Sequence, residues 1–270
     1  MPVTDPISGP DDPRLALYRS VSDPDLARSH GLFVAEGRFV VRRVLEDSRY
    51  QVRSLLLNDA AHRDLESPLA RLDPSVPIVV CRNDAFQAIT GFNMHRGCLA
   101  LVERPTPPPG VQDVIAGAHR LIVLDGVTNA DNVGGVFRNA AAFGVDGVLL
   151  SPDSCDPLYR KAVRTSMGAV LRVPFAYGQS WPADLVHVRA HGFTLVALTP
   201  REPSDPLETI AARGVDSRVA LLVGAEGTGL TPAVEATADI RVRIPISQDV
   251  DSLNVAVAVG IALHALRSRL

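Results

Sequence analysis

The 270-residue sequence is short of cysteine, of lysine and of net charge. Its three cysteines, Cys81, Cys98 and Cys155, are odd in number, far apart and without a C-x-x-C pair. That pattern excludes a disulfide framework and a zinc cage, and it is the usage expected of reduced thiols in a cytoplasmic protein. Of the 27 basic residues only Lys161 is a lysine, an imbalance from which nothing about partners follows. The formal net charge is −3, and neither part of the chain is strongly of one sign. Residues 1–103 carry 12 basic and 14 acidic side chains, and the remainder 15 and 16. A polyanion would therefore need a local patch, because the bulk charge does not attract it. No apolar run reaches the roughly 20 residues that span a bilayer. The longest, Leu253 to Leu266, is interrupted by Asn254, Gly260 and His264. The opening "MPVTDPISGPDDP" has no basic region and no apolar stretch, so no signal or membrane anchor is expected there.

What is present is a globular composition, 46% hydrophobic and 21% charged, in a length sufficient for two cores. Residues 1–13, rich in Pro and Asp, read as a disordered tail. Residues 14–103 alternate helical and strand signals. In "FVAEGRFVVRRVLEDS" the apolar Val40, Val41, Val44 and Leu45 recur at helical spacing, while "VRSLLLN", "PIVVCR" and "GCLALVE" read as short buried strands. Residues 104–117 include "PTPPP", which favours an extended spacer and marks a linker. From 118 to 270 strands are expected at 120–124, 147–151, 193–198, 219–223 and 240–244, and helices at 133–143, 157–168, 182–191 and 253–268. Strands alternating with helices, the strands being continuously apolar, predict an α/β domain whose mostly parallel sheet is covered on both faces.

Three segments carry candidate chemistry. In "DGVTNADNVGGVFRNAAAFG", residues 125–144, Asn129, Asp131 and Asn132 are natural cap residues, and Arg138 shares a helical face with Gly134 and Ala142. Glycines that permit close packing, with an arginine that pairs a carboxylate, would account for this segment taken alone. "VALLVGAEGTGLTP", 219–232, ends a buried strand in a turn with Gly224, Gly227 and Gly229 around Glu226. Thr231 can cap the helix that follows, with Pro232 at its first position. Such a turn stands at the ligand side of an α/β sheet. In "RIPISQDVDSLNVAVAVGIALHAL", 243–266, Asp251 or Ser252 is expected to start a helix apolar nearly all round and hence buried, with Ser252 and Asn254 at an entrance suited to an anionic group. A nicotinamide-binding G-x-G-x-x-G and a P-loop G-K-[ST] are both missing, which excludes those two nucleotide-binding designs. His187 and His191 lack a third ligand, so no metal is expected.

In order, spacing and residue type the three segments resemble the signature motifs of the SpoU/TrmH branch of the SPOUT RNA methyltransferases. The match is N-x-G-x-x-x-R at Asn132, Gly134 and Arg138, then G-x-E-G-x-G at Gly224, Glu226, Gly227 and Gly229. It closes at Ile244, Pro245 and Ile246, then Ser252, Leu253, Asn254 and Val255, with Ile246 standing where methionine is commoner. The N-terminal "FVAEGRFVVRRVLE" and "HRGCLALV" are similar to that family's RNA substrate-binding domain, of the L30e-like ribosomal-protein type. The resemblance implies a SPOUT domain over 118–270, closed by a deep trefoil knot, that dimerises. It implies transfer of a methyl group from S-adenosylmethionine to a ribose 2′-oxygen of RNA, without metal. By position, Leu198, Thr199, Gly224, Ile244, Ile246 and Leu253 would line the cofactor pocket. Arg138 would be the catalytic arginine, as a base or as a charged group that holds phosphate and steadies the alkoxide, the second being preferred because free guanidine is scarcely reached. Asn132, Glu226, Ser252 and Asn254 would orient it and the ribose. RNA contacts are expected from Arg38, Arg42 and Arg43 on one helix and from Arg160 and Arg164 in a patch beside the catalytic domain. Ribosomal RNA is the favoured substrate. Transfer RNA, and a non-catalytic RNA-binding protein on the same fold, are the alternatives.

Overall fold

A computed structural model describes residues 4–5, 12–19, 22–47, 49–83, 86, 97–214, 218–247, 249–250 and 252–266. It divides into two compact units, Met1–Pro107 with Leu158–Leu171, and Pro108–Pro157 with Arg172–Leu270.

The first unit holds a mixed five-stranded sheet of β1 (Thr4–Asp5), β2 (Leu32–Glu36), β3 (Val52–Asn58), β4 (Ile78–Cys81) and β5 (Cys98–Glu103), in the order β1-β4-β3-β5-β2. All five residues of β2 are buried, and Gly37, at φ 90°, turns the chain into the helix Arg38–Glu46, which buries Val40, Val41 and Val44. Of the tail expected over 1–13, residues 1–3 and 6–11 lie outside the described residues. Thr4–Asp5 pair in parallel with Ile78 and Val79, and Pro13 opens a 3-10 helix capped by Asp12. The core here includes Leu15, Tyr18, Leu26, Leu56, Phe86 and Leu99. Burial pushes the Cys98 thiol up to about 12, so it stays protonated.

The second unit holds a seven-stranded sheet of β6 (Arg120–Asp125), β7 (Gly147–Leu150), β8 (Phe175–Tyr177), β9 (Thr194–Leu198), β10 (Asp205–Pro206), β11 (Val219–Gly224) and β12 (Ile240–Arg243). The order is β10-β12-β9-β11-β6-β7-β8, and every pairing is parallel. All six residues of central β11 are buried, as continuous apolar strands covered on both faces must be. The helix Ala130–Ala142, here the arginine helix, starts three residues before its expected first turn because Asn129, not a later residue, accepts the Asp131 N–H as its cap. It buries Val133, Val136, Phe137 and Ala140, with the Phe137 ring edge-on to Phe175 at 5.7 Å. Burial of each large side chain contributes roughly 1.5–3 kcal/mol.

Three expectations are corrected. The linker does not extend to 117: Val111–Ile115 form a helix whose Val114 and Ile115 pack into the second core. Residues 158–171 leave the second unit, because Arg160 pairs at 2.8 Å with the buried Glu36 carboxylate and Leu171 O accepts from Arg49 and Tyr50. The helix expected at 157–168 shrinks to Arg160–Thr165, ended where Met167 and Gly168 take positive φ. The 3-residue β8 and the helix Leu207–Arg213 had too few periodic residues to be anticipated.

Candidate active site

Because β9, β11 and β12 run side by side in parallel, Leu198, Gly224 and Ile244 stand together at the carboxyl ends of neighbouring strands. The chain after β11 doubles back on itself. Gly229 N–H donates to Ala225 O at 2.9 Å, and Gly227 and Gly229 take φ values of 80° and 70° that other residues adopt at a cost. Gly224 is fixed for a different reason: a Cβ there would stand 2.0 Å from the Gly229 carbonyl carbon. The far end of the turn is pinned by the buried Asp125 carboxylate, which accepts from Thr231 N–H at 2.7 Å and from the Trp181 indole at 3.0 Å. As anticipated, Thr231 caps the short helix that follows and Pro232 opens it.

This turn lines a cavity of about 410 Å3 together with Ile244, Ile246, Ser252 and Leu253. All six positions expected to hold a cofactor, Leu198, Thr199, Gly224, Ile244, Ile246 and Leu253, lie on its wall, together with Glu226 and Ser252. Its size is that of a small-molecule site. The wall is mostly aliphatic, and Glu226 is the one charged side chain among the described lining residues.

The helix Val255–Leu266, here the closing helix, is capped by Asn254 and not by Ser252 or Asp251 as expected; residue 251 lies outside the described residues. Asn254 Oδ1 accepts from the N–H groups of Ala256 and Val257, at 3.0 and 3.2 Å. Its Nδ2 donates to Asn132 Oδ1 at 2.8 Å and to Glu226 Oε1 at 3.0 Å. One amide thus uses both donors and both acceptor sites. It joins the first motif, the glycine turn and the closing helix.

The closing helix is not buried all round. Val255, Val259, Ala262 and Leu266 form one buried stripe, while Val257 is 52% and Ile261 40% exposed. It crosses the arginine helix closely: a Cβ on Gly135 would meet Ala256 Cβ at 2.6 Å, and Asn139 Nδ2 donates to Ala256 O at 2.6 Å. Gly135 therefore serves helix–helix packing, not helix–sheet packing. Asn139 was missed in the sequence, where a lone amide among alanines was its only signal.

Arg138 stands apart from the amide network. It lies six positions further along the helix than Asn132, about 9 Å along the axis. It is exposed in a second hollow of about 620 Å3, with Gly135, Asn139, Phe143, Val257 and Ile261 on its walls. No carboxylate pairs it among the described residues, which removes the ion-pair account of this arginine.

The arginines expected to bind RNA fall into two groups. Arg38, Arg42 and Arg43 share the helix Arg38–Glu46; Arg42 reaches Asp64 at 3.5 Å, and Arg43 stacks over the exposed Phe39 ring at 4.3 Å. Arg160 and Arg164 belong to the first unit, not to the unit that carries the three motifs, and both engage Glu36, at 2.8 and 3.5 Å. Their geometry is that of a fastening within that unit. Among the described residues no group of three or more His, Cys, Asp or Glu side chains could hold a metal ion, and no helix is long and apolar enough to cross a membrane.

Comparison with known proteins gives the chain its relatives. The chain is 42% identical over 262 residues to an uncharacterised tRNA/rRNA methyltransferase of Mycobacterium tuberculosis, covering 96% of this chain and 90% of the relative. It is 34% identical to the 23S rRNA (guanosine-2′-O-)-methyltransferase RlmB of Acinetobacter baylyi over 69% of this chain and 77% of that one. The crystal structure of an AdoMet-bound rRNA methyltransferase from Sinorhizobium meliloti shares the fold, with a TM-score of 0.82 at 24% identity over 99% of this chain and 98% of that one. The model of the SpoU rRNA methylase family matches residues 119–264, which contain all three motifs, and the chain belongs to that family.

Proposed function

We propose that the protein transfers a methyl group from S-adenosylmethionine to a ribose 2′-oxygen of 23S ribosomal RNA. The observation that carries the reading is the cavity. One space gathers all six positions expected to hold the donor, and Asn254 ties its glycine wall to Asn132. S-adenosylmethionine supplies a methyl group already activated on a sulfonium. The aliphatic walls at Leu198, Ile244 and Ile246 suit an adenine ring, and main-chain groups at the strand ends suit its polar edges. The Glu226 carboxylate has the sign opposite to the donor's sulfonium and ammonium groups.

In the reaction the ribose oxygen forms a bond to the methyl carbon as the carbon–sulfur bond breaks, and the hydroxyl proton leaves to solvent. Holding the reactants in line can supply roughly 7–11 kcal/mol of the barrier. Arg138 serves as a fixed cation that holds the target phosphate and steadies charge on the oxygen. Asn132, Asn254 and Glu226 hold the two helices and the glycine turn in the register this needs, and Ser252 stands on the cavity wall to meet the ligand.

The name of the Acinetobacter relative supports ribosomal RNA, while that of the mycobacterial relative leaves transfer RNA as the second reading. The first unit, with Arg38, Arg42 and Arg43, serves as an L30e-like substrate-binding domain. The second is a SPOUT domain closed by a trefoil knot; the bond from Asn254 to Asn132, which brings the last motif onto the first, supports this. The exposed Val257 and Ile261 beside Gly135 and Gly260 support a homodimer packed through the closing helix. An RNA substrate of this kind places the protein in the cytoplasm. The test is transfer of labelled methyl from S-adenosylmethionine to unmodified 23S ribosomal RNA and to transfer RNA. Alkali-stable label in the first supports the reading, label only in the second moves it to transfer RNA, and no transfer to either rejects it.

A further inference from the structure

The glycine turn raises a physical problem that its sequence does not solve. Gly224, Gly227 and Gly229 leave residues 224–230 with more conformational freedom than any other stretch of the cavity wall, and ordering such a stretch costs entropy. A site that binds a ligand against this wall needs something to order it first. Asp125 holds its far end, at Thr231, and Asn254 holds the Glu226 side chain, which leaves the carbonyls around Gly229 to be restrained.

Arg201 supplies the remaining restraint. It follows Leu198, Thr199 and Pro200, all on the cavity wall, and its own N–H donates to Thr199 Oγ1 at 3.2 Å. From there its guanidinium reaches across to the turn. Nη2 donates to Thr228 O at 2.6 Å, and Nη1 donates to Leu230 O at 3.2 Å, so the two carbonyls that flank Gly229 are held by one planar group. Nη1 also donates to Glu235 Oε2 at 2.8 Å. Glu235 has a side chain only 10% exposed and receives Arg241 on its other oxygen at 3.7 Å, so the guanidinium is itself held from behind. A fork of rigid donors can span three acceptors in this way, and a single ammonium cannot.

We propose that Arg201 is a positioning residue for the methyl-donor site, which clamps the turn Gly224–Leu230 in the conformation that receives the donor. The proposal rests on the reading of the cavity given above. An exposed ion pair alone would contribute little, because solvent screens it. The two backbone carbonyls distinguish the clamp from such a pair, and Arg241 is a built-in control, since it shares Glu235 and touches no carbonyl of the turn.

The test uses the full chain with S-adenosylmethionine and S-adenosylhomocysteine as probes. Arg201→Ala is expected to weaken binding of both about tenfold, the equivalent of one good charge-assisted hydrogen bond. It should raise KM for the donor while kcat at saturating donor stays near wild type. Arg201→Lys should fall between, and Arg241→Ala should match wild type. Independently of any ligand, hydrogen exchange at the Gly229 N–H, which is bonded to Ala225 O, should speed up in Arg201→Ala and not in Arg241→Ala. If wild type binds the donor and Arg201→Ala binds it equally well, the clamp is wrong and the cavity reading stands. Faster exchange in Arg201→Ala with no donor binding by wild type would keep the clamp on the turn and reject the donor site. Equal losses in Arg201→Ala and Arg241→Ala would reduce Arg201 to a partner of Glu235.

Discussion

Asn254 offers the sharpest separation of architecture from chemistry, because its two ends do different work. Asn254→Ala removes the cap of the closing helix, about 0.5–2 kcal/mol. It also removes the bonds to Asn132 and Glu226, each about 0.5–1.5 kcal/mol, and strands the buried Asn132 oxygen. Together these come to about 2–4 kcal/mol, a fall in Tm of roughly 5–10 °C for a unit of this size. Asn254→Asp keeps an acceptor for the Ala256 and Val257 N–H groups but turns a carboxylate toward Glu226 and toward the Asn132 oxygen. Like charges at that distance raise the pKa of one partner in the folded state. A carboxylate whose folded pKa is raised gives stability that is present at low pH and lost as pH rises through that pKa. The Asp variant should therefore be nearly as damaged as the Ala variant at pH 8 and recover as pH falls toward 5, while the Ala variant shows no such recovery. Thermal unfolding followed by circular dichroism across this range, with methyl transfer measured alongside, reads both effects. Two variants with the same pH profile would refute the bridging role of the amide.

Two further outcomes follow from the geometry. Gly224→Ala should abolish donor binding and destabilise the fold by about 1–3 kcal/mol, since its Cβ would meet backbone that cannot yield. Gly227→Ala, with open space but φ 80°, should cost about 1 kcal/mol; calorimetric titration with S-adenosylmethionine should rank the two in that order. Ile261→Asp, on the exposed face of the closing helix, should convert a dimer to monomer in sedimentation velocity while its circular dichroism keeps the signature of the folded chain, and an unchanged sedimentation coefficient would refute the dimer surface.

Much of the second unit was legible because its strands are runs of Val, Ile and Leu with few alternatives, and the three motifs stood out as polar or glycine residues where packing needs none. Thr231 and Pro232 announced a helix start that is found there. The closing helix misled for a physical reason. Composition reports how apolar a helix is but not how much of its surface the same chain covers, so Val257 and Ile261 read as core. Arg160 and Arg164 read as a surface patch because their partner, Glu36, lies over 120 residues away in sequence. The excursion of 158–171 into the first unit was hidden for the same reason. Asn254 is legible in the sequence as a polar residue at the entrance of an apolar helix, but its double bridge could be seen only once the first and last motifs met in space.

The most direct test of the account is mass spectrometry of nucleosides from unmodified 23S ribosomal RNA incubated with the protein and S-adenosylmethionine carrying a deuterated methyl group. The account predicts one nucleoside labelled on the ribose and unlabelled on the base, at a rate that falls by about 10²–10³ in Arg138→Ala, the loss typical of removing one stabiliser of transition-state charge. Label on a base, or a rate unchanged by Arg138→Ala, would contradict it.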